Sequence, residues 1–149
     1  MKRKENHNPH LFQVSLKLIL KNKKGEILIL KLPQNSSMAG YYDLPGGRIN
    51  SEEIKMPCDK IIKREIREEL GKIKYSLKKA ISIGWHSYFS SANNKKKYLL
   101  FILFEGLYLS GKIILSEEHT DYKWEKLNKR NISKYFTKGL LRGLKNYFS

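Results

Sequence analysis

Residues 44–72 read LPGGRINSEEIKMPCDKIIKREIREELGK: a glycine loop, a run of acids, then a helix whose end is crowded with glutamate. Pro57 suits the first turn of that helix, where its missing N–H costs nothing, and Gly71 is a good C-terminal stop. Ile62, Ile66 and Leu70 recur every four residues and make the apolar stripe. Glu65, Glu68 and Glu69 stand at i, i+3 and i+4, so they project on one side, and like charges so spaced repel by roughly 0.2–0.5 kcal/mol per pair. Arg64 can pair with Glu68, so REIREEL taken alone reads as an ordinary salt-bridged, solvent-facing helix. The preceding Gly46-Gly47 points elsewhere, because a tight glycine turn lets backbone carbonyls approach a metal that helical carboxylates ligate. Hard oxygen ligands suit Mg²⁺ or Mn²⁺, and Mg²⁺ usually completes its shell with water and substrate phosphates. The chemistry implied is phosphoryl transfer to water.

Outward from this segment the chain reads as alternating short strands and turns. Residues 12–18 (FQVSLKL) alternate with period two, a half-buried strand; 22–25 are a turn and 26–32 (EILILKL) a second strand. The breaker-rich stretch 33–40 is a loop, and 41–44 form a short strand feeding a Pro45-Gly46-Gly47 turn. Residues 80–89 and 97–109 read as strands joined by SSANNKKK, with 113–115 and 122–124 as further extended pieces. Ile132, Phe136, Leu140, Leu144 and Phe148 describe a C-terminal amphipathic helix, in which close packing against a sheet accounts for Gly139 and Gly143. Residues 1–10 are expected to be a loose tail, so the metal-like spacing of His7 and His10 reads as solvated.

Composition bounds the function classes. The chain has 149 residues and a net charge of +16, a length that suits one domain spanning 1–149. Cys58 is the only cysteine, which excludes an intrachain disulfide and a cysteine-based zinc cluster and fits a reducing, cytoplasmic setting. The longest apolar run, 98–104, stops at Glu105 and falls far short of the ~20 residues of a spanning helix, so no membrane partner is expected. The cations are 24 Lys against 6 Arg, scattered, with no Arg-aromatic recognition motif, so nucleic acid is the less favoured partner. The acids are pooled: seven of the fourteen lie between 43 and 69 and four more, Glu117, Glu118, Asp121 and Glu125, between 117 and 125. A cationic chain with two acidic pools is building a cation site.

The segment resembles the Nudix box, G-x5-E-x7-R-E-U-x-E-E-x-G-U with U aliphatic. Gly47, five residues, Glu53, and then Arg64 through Gly71 match it in order. Ten residues separate Glu53 from Arg64 instead of seven, an insertion around Met56-Pro57-Cys58, and Lys72 holds the final aliphatic position. The insertion leaves Glu52 and Glu53 as alternatives for the first box glutamate, and it is expected to lengthen the loop without disturbing the helix. The resemblance implies an α/β fold, the Nudix-type αβα sandwich with a mixed sheet between helices, and a hydrolase that cleaves the pyrophosphate linkage of a nucleoside diphosphate joined to another group. It also implies that Mg²⁺ or Mn²⁺ is held by Glu65, Glu69 and Glu68 with the Gly46 or Gly47 carbonyl, while Arg64 orients a box glutamate. Glu68 is one candidate general base and Glu117 or Glu118 the other; His119 beside them is a candidate for substrate contact, an exposed loop histidine being the commoner case.

For substrate contact the candidates are Arg48, which follows the glycines, and the aromatics Trp85, Tyr88 and Phe89. ADP-ribose hydrolases of the family often carry a proline well after the box, and this chain has none after Pro57. Tyr88 lies sixteen residues past Lys72, near a tyrosine of some dinucleoside-polyphosphate hydrolases. A MutT-like nucleoside triphosphate pyrophosphohydrolase is the favoured reading. The competing class is a non-catalytic Nudix-like module binding a nucleotide or RNA, and a homodimer is compatible with either.

Overall fold

The computed structural model describes residues 7–149, so the first six residues of the expected tail lie outside the described part. Seven strands and two helices follow one another: β1 Gln13–Lys21, β2 Ile27–Lys31, β3 Tyr42–Asp43, β4 Gly46–Arg48, α1 Cys58–Leu70, β5 Lys74–Phe89, β6 Lys96–Ser110, β7 Asp121–Glu125 and α2 Lys138–Tyr147. The strands form one mixed sheet in the order β3-β2-β1-β6-β5, with β4 beside β1 and β7 beside β2. Parallel pairing occurs between β1 and β6, from Gln13 opposite Leu99 to Lys21 opposite Leu107.

The sheet is sandwiched because β1 and β2 bury side chains on both faces. Leu16, Leu18, Leu20, Leu28 and Leu30 meet Ile61, Ile62, Ile66 and Leu70 of α1. Ile19, Ile27 and Ile29 belong to the opposite cluster, with Leu140 and Leu144 of α2. This is the expected αβα sandwich. β1 was expected to be half-buried, but its central position buries 15–20 on both sides. α2 lies close on β5: a Cβ at Gly84 would sit 2.1 Å from the Gly139 carbonyl oxygen, which explains small residues there.

The box insertion is absorbed before α1. Ser51–Glu53 make a short 3₁₀ turn, residues 54–56 a bend, and Pro57 caps α1 in extended conformation (φ −60°, ψ 143°). Gly71 ends the helix at φ 80°.

Four expected boundaries are corrected. The Gly46-Gly47 turn is a strand, because residues 46–48 pair antiparallel with Ser15, Leu16 and Lys17 of β1. β5 starts six residues earlier than expected, at Lys74, where pairing to β6 overrides the polar sequence. Residues 113–115 form no strand. The C-terminal helix is broken: Ile132–Lys134 are a 3₁₀ turn, the Tyr42 N–H takes the Tyr135 carbonyl (2.7 Å) out of any helical ladder, and Thr137 is extended before α2 begins. Of the expected tail, His10 meets Tyr98 edge to face. Among the described residues no helix is long and apolar enough to cross a membrane.

Candidate active site

The pairing of β4 with β1 brings the glycines under the end of α1. Gly46 has φ 131°, and a Cβ on it would lie 2.0 Å from the Leu16 carbonyl oxygen. Only glycine fits. At Gly47 a Cβ would lie 2.5 Å from the Glu65 carboxyl carbon, so the missing side chain is the space that Glu65 occupies. The Gly46 N–H donates to Glu69 Oε2 at 2.9 Å and fixes that carboxylate beneath the strand.

The three helical glutamates do not share one environment. Glu69 is 3% exposed, and burial pushes its carboxyl up to about 7, with Lys17 and the Gly46 N–H opposing. Glu65 is also raised by burial, against the nearby Arg64. Glu68 stands out in solvent with its side chain 59% exposed and takes Arg64 Nη1 at 2.9 Å. Arg64 bonds Glu65 Oε1 at 2.8 Å through Nη2 and pairs with Glu53 through Nε. Glu53 is buried, accepts the Asn50 N–H at 3.1 Å, and is held below the usual carboxylate range by that bond and by Arg64. Between the two alternatives for the first box glutamate, it is Glu53 that reaches the helix, while Glu52 is exposed.

A cleft of about 530 Å³ opens beside these groups. Gly47, Arg48, Glu65, Glu69, Tyr88 and Glu118 of the sequence-derived set line it; Glu68, Arg64 and Trp85 do not. Tyr88 is held by its hydroxyl, which donates to Gln13 Oε1 at 2.7 Å, and Arg48 lies over its ring at 5.3 Å.

The sequence does not single out Lys17, and it leaves His119 between substrate contact and an exposed loop. Lys17 alternates as though it faced solvent, yet its side chain is 8% exposed and donates to Asp43 Oδ2 (2.9 Å) and the Gly46 carbonyl (3.1 Å). Burial works against its charge, but Asp43 and Glu69 hold its pKa above the ordinary value. His119, whose commoner reading is an exposed one, is buried, with Nε2 3.5 Å from Asp43 Oδ2 and, among the described residues, no hydrogen-bond partner at Nδ1. The loop preceding β7 folds inward there because the Thr120 N–H bonds the Lys31 carbonyl at the end of β2.

Ligand atoms of Glu69, Glu118 and His119 lie within 4.8 Å of one another. Two carboxylates, one of them buried, and a buried imidazole nitrogen without a partner among the described residues suit a divalent cation. Glu65 is turned to Arg64 and is not in this group. His7 lies outside it as well, and Cys58 is exposed at the start of α1.

No family model matches the chain, and no curated protein matches it. Solved structures do. A MutT protein from Methanosarcina mazei Go1 is 27% identical, covering 92% of this chain and 90% of its own, with a TM-score of 0.62. A MutT Nudix hydrolase from Burkholderia pseudomallei is 24% identical over 78% of this chain and 84% of its own (TM-score 0.56). A C. elegans Ap4A hydrolase is 19% identical over 91% and 94% (TM-score 0.60). The last two likenesses speak for the fold.

Proposed function

We propose that this chain, a member of the Nudix hydrolase family, hydrolyses the phosphoric anhydride of a small nucleotide, a nucleoside triphosphate being the favoured substrate. One observation carries the reading: Glu69, Glu118 and His119 converge in a cleft that also presents Arg48 and the ring of Tyr88. A cationic guanidinium, an aromatic face and a carboxylate cluster are what a phosphate chain, a base and a divalent cation each require.

Glu69, Glu118 and His119 would hold the cation, with Glu65 able to join on leaving Arg64. Such a cation supplies neutralisation of charge on the anhydride oxygens. An imidazole among the donors favours Mn²⁺ over Mg²⁺ in affinity. Arg48 binds and orients the phosphates, and Tyr88, braced by Gln13, seats the base. Exposed Glu118, which gives one carboxylate oxygen to the cation, would take the proton of the attacking water on the other. Glu68, tied to Arg64 in solvent, is the poorer candidate for that base and serves with Glu53 to fix the guanidinium. Lys17 holds Gly46 through its carbonyl, and the N–H of the same residue, in the preceding peptide, holds Glu69.

The test is a nucleotide panel incubated with Mn²⁺ or Mg²⁺ and resolved by chromatography. Nucleoside monophosphate and pyrophosphate from a triphosphate are expected. Metal-independent turnover, or binding without any product, would overturn the proposal, and the second result would favour a non-catalytic nucleotide-binding module.

A further inference from the structure

The outer end of the β5–β6 pair carries a surface that the catalytic reading does not use. Ser82, Gly84 and His86 of β5 face α2: Ser82 Oγ donates to the Gly143 carbonyl, and the Gly139 N–H donates to His86 Nδ1. By the period of a strand, Ile83 and Trp85 lie on the other face, and because β5 is the edge strand Arg142 of α2 reaches round it to Trp85. α1 packs on β1 and β4, and Ile83 and Trp85 stay 46% and 42% exposed, with Phe89 at 67%.

Around Trp85 the fold assembles aromatic rings and cations from three distant segments. Arg142 of α2 lies over the Trp85 ring at 5.2 Å, and Lys96 over Tyr98 at 5.8 Å. His10, Phe12 and Tyr98 pack edge to face, with ring centroids 3.8 to 5.9 Å apart. Two shallow hollows run across this patch, and among the described residues neither is lined by an aspartate or glutamate. One of them shares His86 and Lys138 with the catalytic cleft, so the patch begins where the cleft ends.

From this arrangement we propose that the patch binds single-stranded nucleic acid, its bases stacking on Trp85 and Tyr98 and its phosphates meeting Arg142, Lys138 and Lys96. Partly exposed aromatic rings bracketed by cations, with no carboxylate among the described residues of the patch, are complementary to a polyanion with π-faces. A second copy of this chain, itself at +16, would bring like charge to the same patch. A duplex hides its base faces and offers only its phosphates. The surface escapes the sequence because Arg142 and Trp85 meet only through the packing of α2 on β5.

The proposal does not rest on hydrolysis, so its test uses a fluorescent oligonucleotide of roughly 12 residues, oligo(U) or oligo(dT), without a 5′-phosphate, and can fail independently of the catalytic reading. Anisotropy should show binding that weakens with salt, and Trp85→Ala should raise Kd by about tenfold, with Trp85→Phe restoring most of it. Arg142→Ala gives a second loss in a chain that keeps its tryptophan. In a Trp124→Phe background, where Trp85 is the sole indole, its fluorescence should be quenched by the bound strand. Absence of binding at about 0.1 M salt, equal affinity for duplex, or a Kd within about twofold of wild type in both Trp85→Ala and Arg142→Ala would overturn it.

Discussion

Glu69→Gln separates a cation-holding carboxylate from a solvated helix face by its effect on stability as well as on rate. In the metal-free protein, burial raises the Glu69 carboxyl from its ordinary 4.5 to about 7. At about 1.4 kcal/mol per pH unit, the folded state bears ~3 kcal/mol of ionisation cost above pH 7 that the unfolded chain does not. Between pH 4.5 and about 7 the folded state binds more protons than the unfolded, so this part of the stability falls as pH rises through that window and is level on either side. Glutamine keeps the shape, and its carbonyl can still accept the Gly46 N–H. Chelator-treated Glu69→Gln should therefore melt about 10 °C above wild type at pH 8, at 2–4 °C per kcal/mol for a chain of this size, with the difference closing near pH 4.5. Saturating Mn²⁺ should raise wild type more than the variant, and turnover of the variant should collapse by orders of magnitude. The assay is a set of paired melts across pH, with and without chelator, beside a hydrolysis rate. A melting difference that ignores pH, or hydrolysis close to wild type, would refute the assignment.

Three further outcomes are expected. Lys17→Met strands the Asp43 carboxylate and should cost about 3 kcal/mol in urea unfolding, part of which Asp43→Asn returns when combined with it; an unchanged midpoint would remove Lys17 from the network. Gly84→Ala forces a methyl onto the Gly139 carbonyl and should lower stability by about 3 kcal/mol, so a melting temperature equal to wild type would mean that α2 does not lie where described. His86 has its pKa lowered by burial and by Lys138, Arg48 and Arg142, and its Nδ1 must stay unprotonated to accept the Gly139 N–H. The unfolded chain protonates first, so stability should fall as pH drops below about 6.5; melts of Glu69→Gln and of Glu69→Gln/His86→Gln test this, and an equal slope in the two would refute it.

The parts legible in the sequence are those in which spacing along the chain equals neighbourhood in space. Ile62, Ile66 and Leu70 announce the buried stripe of α1, and Pro57 and Gly71 its ends, because four residues are one helical turn. The link of Arg64 to Glu68 follows from the same turn. The glutamate pattern, however, says only which residues share a side of the helix, not how deep each sits. Depth depends on where β4 crosses, and it separates buried Glu69 from solvated Glu68. The Gly46-Gly47 pair looks like a turn because glycines usually break strands, whereas here the lack of a Cβ admits the backbone of β1 on one side and Glu65 on the other.

The remaining features of the site are products of topology. Lys17 sits at a strand position whose alternation assigns it to a solvent face, and that assignment holds only for a sheet with one covered side. Once β1 is central, flanked by β6 and by β4 with β2, both faces close, and a lysine there must find an anion or lose its charge. Asp43, from β3, is that anion, and it is also the group that His119 approaches from the loop before β7. Lys17 and His119, 26 and 76 positions from Asp43, thus share its carboxylate, and no local period could have joined them. The same reasoning explains why a chain whose lysines look scattered can still carry a built anionic-partner surface: Arg142 and Trp85 become neighbours because glycines let α2 settle onto β5, and that contact exists only after the helix has packed.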